Sequence, residues 1–301
     1  MNPRPGRGNS AIAAGCAGFT LAELAIAMVI VGLLLASAFI PLSAQIELRA
    51  ISDTQRTMDG IREALIGYAQ ANGRLACPAT GTTATGAAGA GVELLAGNVC
   101  TSAVGVVPWA TLGVPETDSW GRRFTYRVSP AYADLNAALT WETKTTTAPV
   151  SPANQTTACA PNPAPATPTS FALCSLGDIA VFSPTESTRT AAPTAAVAKG
   201  IPAIIVSHGK NGYGAYQAFT GIQIPVPGGA HELANVTGTP AATPTGGFAS
   251  YAYYSRTFSA SAGTCSDTVI GASPFCEFDD VVAWIPPSTL VARMVGAGKL
   301  P

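Results

Sequence analysis

Residues 19–40 read FTLAELAIAMVIVGLLLASAFI, and Pro41 follows. As a helix rising about 1.5 Å per residue, this run would be about 33 Å long, enough for the hydrocarbon core of a bilayer. From Phe19 to Ile46 the one charge is Glu23. An acid at the centre of a membrane costs about 2.5–3.5 kcal/mol, so this carboxylate calls for a compensating partner. The segment ahead of it, residues 1–18, carries Arg4 and Arg7 and no acid.

Beyond Pro41 the chain turns polar but keeps a helical period. Ile51, Met58, Ile61, Leu65 and Tyr68 recur on one face, the pattern of an amphipathic helix packed on its own domain. Charges including Glu47, Arg49, Asp53, Arg56, Asp59, Arg62 and Glu63 occupy much of the remainder, and Asn72-Gly73 supplies a stop signal. The prediction is a helix over 19–72, roughly 80 Å long, apolar over 19–40 and amphipathic over 45–71. Pro41 should kink it or open it locally, because proline lacks a backbone donor.

Composition narrows the rest. Charged residues make up 11% of the chain, against about 25% in an average soluble domain. Sixteen basic and seventeen acidic residues give a net charge of −1, so no electrostatic footprint for nucleic acid exists. Two histidines and seven scattered cysteines do not make a zinc module and fit an exported chain in an oxidising compartment. Removing residues 1–18 removes Cys16 and leaves Cys77, Cys100, Cys159, Cys174, Cys265 and Cys276. Several connectivities are open, and the spacings favour three local loops: Cys77–Cys100, Cys159–Cys174 and Cys265–Cys276.

Residues 73–301 form the expected globular part. Stretches 79–98, 144–170 and 237–250 are rich in Ala, Thr, Gly and Pro and read as loops. Strands are expected at 123–128, 179–182, 201–206, 251–258 and 281–285, with a tight turn at Lys210-Asn211-Gly212 and a closing helix over 288–296 capped by Ser288. The fold class is α+β: an antiparallel sheet laid on the N-terminal helix, with long irregular loops.

Catalytic signatures are scarce. Ser207 and His208 are adjacent, so on a strand they face opposite ways and cannot share a hydrogen bond; His208 and His231 read as turn or surface residues. Neither a nucleophile elbow nor a phosphate loop occurs. Glu277, Asp279 and Asp280 form an acidic cluster that lacks the spacing of a dedicated calcium loop. Asn154-Gln155-Thr156 and Asn235-Val236-Thr237 match the glycosylation sequon. No enzyme activity and no cofactor are expected.

Three processing routes fit the N-terminus. A secretory signal would use Leu24–Leu35 and cut near Ala36-Ser37-Ala38; a lipoprotein cut would precede Cys16; a third cut, between Gly18 and Phe19, keeps the apolar helix. The third is favoured by a resemblance. Gly18-Phe19-Thr20-Leu21-Ala22-Glu23, followed by an apolar helix containing Gly32, resembles the cleavage and methylation segment of type IV pilins and type II secretion pseudopilins. Pro41 lies one residue later than is usual there. Weaker likenesses are Pro115–Tyr126 (PETDSWGRRFTY) and Phe278–Pro301.

The resemblance implies removal of residues 1–18 by prepilin peptidase, N-methylation of Phe19, and Glu23 as the assembly residue. It also implies other pilin or pseudopilin subunits as partners, a single-pass inner-membrane precursor with a periplasmic domain, and a filament as destination. Some pseudopilins bind calcium near their C-termini, which would fall on Glu277, Asp279 and Asp280. The size of the chain favours a minor pilin or pseudopilin. The competing reading is a membrane-tethered or secreted periplasmic enzyme or ligand-binding protein that uses 19–40 only as anchor or signal.

Overall fold

A computed structural model describes residues 20–97, 99–134, 171, 175, 177–189, 196–226, 228–240, 251–260, 263–271 and 273–300, without the side chains of 35–44. Two compact units are present, residues 1–49 and 50–301.

Helix α1, Leu21–Asn72, runs through the boundary between them and contains Pro41. It stops where expected: Gly73 adopts φ +72° and its N–H donates to the Ala69 carbonyl at 2.8 Å, a glycine C-cap. The second half of α1 uses the face that its period marks. Met58, Ile61 and Leu65 are buried, joined by Ile66 and Ala69.

Among the described residues ten strands and four short helices follow α1. Strands β1 (Leu95–Ala96) and β2 (Val99–Cys100) form a small antiparallel hairpin. Next come β3 (Val104–Val106), α2 (Trp109–Leu112), β4 (Thr125–Val128), α3 (Pro130–Ala133), β5 (Ile179–Phe182), β6 (Ala196–Ile201) and β7 (Ala203–Ser207). The chain closes with α4 (Ala230–Thr237), β8 (Thr239–Pro240), β9 (Tyr251–Tyr254), β10 (Val281–Ile285) and α5 (Pro287–Gly296). A first sheet has the order β10-β7-β4-β3, all antiparallel, and a second has β6-β5-β9-β8. In the second sheet β5 and β9 run parallel.

The single antiparallel sheet expected from sequence is therefore two sheets. Pro202 makes the division. The run 201–206 splits there, β6 ending at Ile201 in the second sheet and β7 starting at Ala203 in the first. Proline cannot donate to a ladder, and its own carbonyl accepts from Ser129 N–H at 2.8 Å.

The two-residue period of each strand then assigns the layers. Ala203 and Ile205 of β7, with Phe124, Tyr126 and Val128, pack in one core with Met58, Ile61 and Leu65 of α1. Ile204 and Val206 face the other way, onto Ile179 and Val181 of β5 and Tyr253 of β9. Ala180 and Phe182 of β5 look outward again, onto Ala234 of α4, Tyr254 and Phe278. The order is helix, sheet, sheet, helix, and both faces of the first sheet are covered. Hence β4 is buried at all four positions despite its alternating sequence. Its Arg127 lies between the sheets, donating to Asp178 at 2.8 Å with its guanidinium 3.4 Å from the Tyr251 ring centroid.

Other boundaries move. The strand expected over 251–258 ends at Tyr254. Helix α5 begins at Pro287, and Pro286 rather than Ser288 precedes it with no side-chain cap. The loop expected over 79–98 includes β1 and buried residues such as Ala79; 144–170 lies outside the described residues, as do 241–250.

Candidate processing and assembly site

Gly18 and Phe19 lie outside the described residues, which begin at Thr20. From there the helix start is explicit. The Thr20 N–H donates to Glu23 Oε2 at 2.9 Å, the Thr20 hydroxyl donates to the same oxygen at 3.0 Å, and the Glu23 N–H donates to Thr20 Oγ1 at 3.2 Å. This is a capping box, each side chain satisfying the other's orphan backbone donor. It has a sequence signature, Thr-x-x-Glu, so Thr20 was findable: the residue two positions after Gly18 orients Glu23.

Behind the cap the helix surface is apolar on every side. Leu21, Leu24, Ile26, Met28, Val29, Ile30, Val31, Leu33 and Leu34 are all more than half exposed. A continuous apolar surface of this kind marks an interaction surface or a membrane-facing one. Among the described residues no helix is long and apolar enough to cross a membrane; Phe19 and the side chains of 35–40, part of the run 19–40 expected to do so, lie outside them.

Of the expected disulfides, Cys77–Cys100 and Cys265–Cys276 are present. Cys159, Cys174 and Cys16 lie outside the described residues. The first bridge ties the segment after α1 to the β1–β2 hairpin. Beside it Arg74 donates to both carboxylate oxygens of Glu93, at 2.9 and 2.8 Å, and the Cys77 N–H donates to Glu93 Oε2 at 2.9 Å.

Both histidines are buried, contrary to the surface or turn positions read from sequence. His208 Nε2 and Thr125 Oγ1 share a hydrogen bond at 2.8 Å, while Ser207 Oγ donates to Asp118 at 2.6 Å, so Ser207 and His208 have separate partners. His231 accepts from Arg256 Nε at 3.1 Å. Burial is the main reason that its pKa is pushed down to about 4, Asp267 opposing this and Arg256 adding to it. Asn235 is unsuited to glycosylation in the fold: it is fully buried, its amide donating to the Tyr254 carbonyl and to Asp280 and its oxygen accepting from Tyr254 N–H. The other sequon, at Asn154, lies outside the described residues.

The acidic cluster is real but differently composed. Asp279 and Asp280 meet Glu232 of α4, one carboxylate oxygen of each lying within 4.8 Å of the others, whereas Glu277 is exposed and outside this group. No local signal announces Glu232, a lone acid in a short helix far from Asp279 in the chain. Burial, reinforced by Asp280, pushes Glu232 up to about 8. Burial likewise raises Asp279 to about 6.

Among known families, the one described as the prokaryotic N-terminal methylation motif matches residues 14–39. No curated protein and no solved structure matches the chain.

Proposed function

Residues 14–39 carry the prepilin-type signature of type IV pilins and pseudopilins, and from it we propose that the chain is a minor pilin or pseudopilin, a structural subunit of a type IV pilus or type II secretion filament. The precursor sits in the inner membrane by the run 19–40, its domain on the periplasmic side. Prepilin peptidase cuts between Gly18 and Phe19 and methylates the new terminus. The freed rod then packs among the rods of other subunits.

The observation that carries this reading is the apolar surface around Leu21–Leu34, interrupted by one acid at its head. Lipid covers such a surface in the precursor, and sister helices cover it in a filament. The task of Glu23 follows from electrostatics. A positive amino terminus from a neighbouring subunit neutralises the carboxylate, and in an apolar bundle that attraction is screened far less than at a surface. An unpaired charge there is strongly disfavoured, so the pair sets axial register more than it adds stability. The capping box holds the carboxylate at the helix start until that partner arrives.

Mass spectrometry of the mature terminus tests the processing step. N-methylated Phe19 is the expected first residue; a chain beginning at Phe39 would make the run a secretory signal and end the filament reading. Glu23→Ala tests assembly: the variant should be cleaved and inserted but excluded from filaments, and normal incorporation would refute the register role.

A further inference from the structure

We propose that the loop 213–226, which follows β7, is a second membrane contact of this protein, its apolar tip entering the interfacial layer of the bilayer and holding unit 50–301 against the membrane surface. This rests on the reading of run 19–40 as a membrane anchor. From Asn211 to Ala230 the sequence holds no charged residue. Phe219 is 88% exposed, Ile222 61%, Val226 56% and Tyr213 40%. Exposed apolar groups gathered on one segment mark a protein or a membrane contact. Aliphatic and aromatic side chains with a tyrosine among them suit the layer between lipid headgroups and acyl chains.

The backbone of the loop is fixed on both sides of Phe219. The Gln217 N–H donates to the Ile222 carbonyl at 3.0 Å and the Gly221 N–H to the Gln217 carbonyl at 2.9 Å, closing a tight turn. The Ala218 carbonyl accepts from Thr85 N–H at 2.9 Å, from Thr85 Oγ1 at 2.8 Å and from Nη2 of fully buried Arg123 at 2.9 Å. At Gly221, φ +66°, a Cβ would lie 2.1 Å from the Thr82 carbonyl oxygen, so the turn closes against that segment only with glycine. An apolar side chain presented on so firm a backbone loses little freedom on docking.

Position within the unit selects lipid as the occupant. Thr54, near the start of unit 50–301, donates its hydroxyl to Ser119 Oγ at 3.0 Å and accepts from Ser119 N–H at 3.3 Å. The segment that follows Ser119 holds the loop: Arg122 Nη1 donates to the Gly209 carbonyl at 3.1 Å and Arg123 N–H to the Tyr216 carbonyl at 3.0 Å. The far end of β4 is tied instead to the far end of α1, where Leu75 N–H donates to the Tyr132 carbonyl at 2.8 Å. The loop therefore shares an end of the unit with Ala50, the residue through which the unit is tethered to run 19–40. A tether of this kind gives a nearby surface an effective concentration of the order of mM, so a contact too weak for a free protein is enough. A charge-free tip on the tethered side fits an uncharged apolar layer and offers nothing to a charged partner.

The test uses the full-length protein in vesicles of phosphatidylcholine brominated in its acyl chains, with Phe219→Trp as reporter over the fluorescence of the wild-type chain. The introduced indole should be quenched by the brominated lipid, and equally so at about 0.5 M salt, where charge attraction is screened. Val295→Trp, on α5 at the far end of the unit where Gln70 donates to the Arg293 carbonyl, should not be quenched. Adding Ile222→Asp to the reporter should shift the ratio of docked to free loop at least about tenfold toward free. Both substituted side chains are exposed, so the fold is not at stake. Protein that floats with the vesicles but shows no more quenching at Phe219→Trp than at Val295→Trp would overturn the loop contact and leave the anchor standing. Wild-type protein that does not float with the vesicles would overturn the anchor and the contact with it. Shielding of the reporter from aqueous acrylamide that grows with the protein-to-lipid ratio, without quenching by bromine, would assign the loop to a second copy of this chain and overturn the lipid contact.

Discussion

Arg74 and Glu93 face each other through a two-pronged ion pair, Nη1 to Oε2 at 2.9 Å and Nη2 to Oε1 at 2.8 Å, with only 10% and 11% of their side chains exposed. The Tyr68 hydroxyl joins them, donating to Glu93 at 2.5 Å, so the end of α1 is locked to the loop that carries Cys77. Removing one member leaves a buried, uncompensated charge. Glu93→Ala should therefore destabilise unit 50–301 by about 3 kcal/mol, read by chemical denaturation, and a loss near zero would show that water replaces the pair.

The same group gives the fold an acid limb. Burial raises the Glu93 pKa, but the hydrogen bonds from Arg74, Tyr68 and the Cys77 N–H outweigh it and hold the carboxyl below its ordinary 4.5. A depressed carboxylate contributes stability that is complete above the unfolded pKa and disappears as pH falls through the folded one. Melting temperature should drop as pH is lowered below 4.5, and Glu93→Gln should flatten that part of the profile. Tyr68, pushed up to about 12 by burial first and then by Glu93, stays protonated throughout.

Cys77 and Cys100 close a loop with a sequence separation of 23. Loop-closure entropy assigns such a bridge about 3 kcal/mol through the unfolded chain. The double variant Cys77→Ala/Cys100→Ala should lose about that much in denaturant titrations. Because Arg74 and Glu93 hold the same segment independently, the β1–β2 hairpin should remain visible by hydrogen exchange.

Two glycines should respond in opposite directions to alanine. A Cβ at Gly177 would stand 1.9 Å from the Ile201 carbonyl oxygen, where β6 enters the turn at Pro202, while at Gly60 on α1 it would meet nothing within 4 Å. Gly177→Ala should force the backbones apart at a loss of about 2 kcal/mol or more. Gly60→Ala should gain about 0.5–1 kcal/mol from helix propensity. Thermal melts of both variants check the contrast.

Thr20→Ala removes one half of the cap and should cost about 1 kcal/mol of local helix stability, seen as faster amide exchange at residues 21–24. Its effect on filament entry should be smaller than that of Glu23→Ala, because the carboxylate itself survives. Equal defects would shift the assembly role from the charge to the cap.

Local chemistry carried a good part of this into the linear chain. The 3.6-residue period placed Met58, Ile61 and Leu65 in the core, Asn72-Gly73 marked the end of α1, and short apolar runs marked β5 and β10 within their observed limits. The Thr-x-x-Glu cap was equally readable, since both partners lie within one helical turn. Each of these depends on neighbours a few residues apart.

Tertiary structure alone decided which strands share a sheet, that Pro202 hands the chain from one sheet to the other, that β4 is covered on both faces, and that His208 and His231 are buried. It also replaced Glu277 by Glu232 beside Asp279 and Asp280. Such outcomes depend on which surfaces meet once the layers stack. A strand's period states that its two faces differ from each other but not what lies against either one, and a carboxylate's neighbours across a fold leave no mark on the residues beside it in the chain.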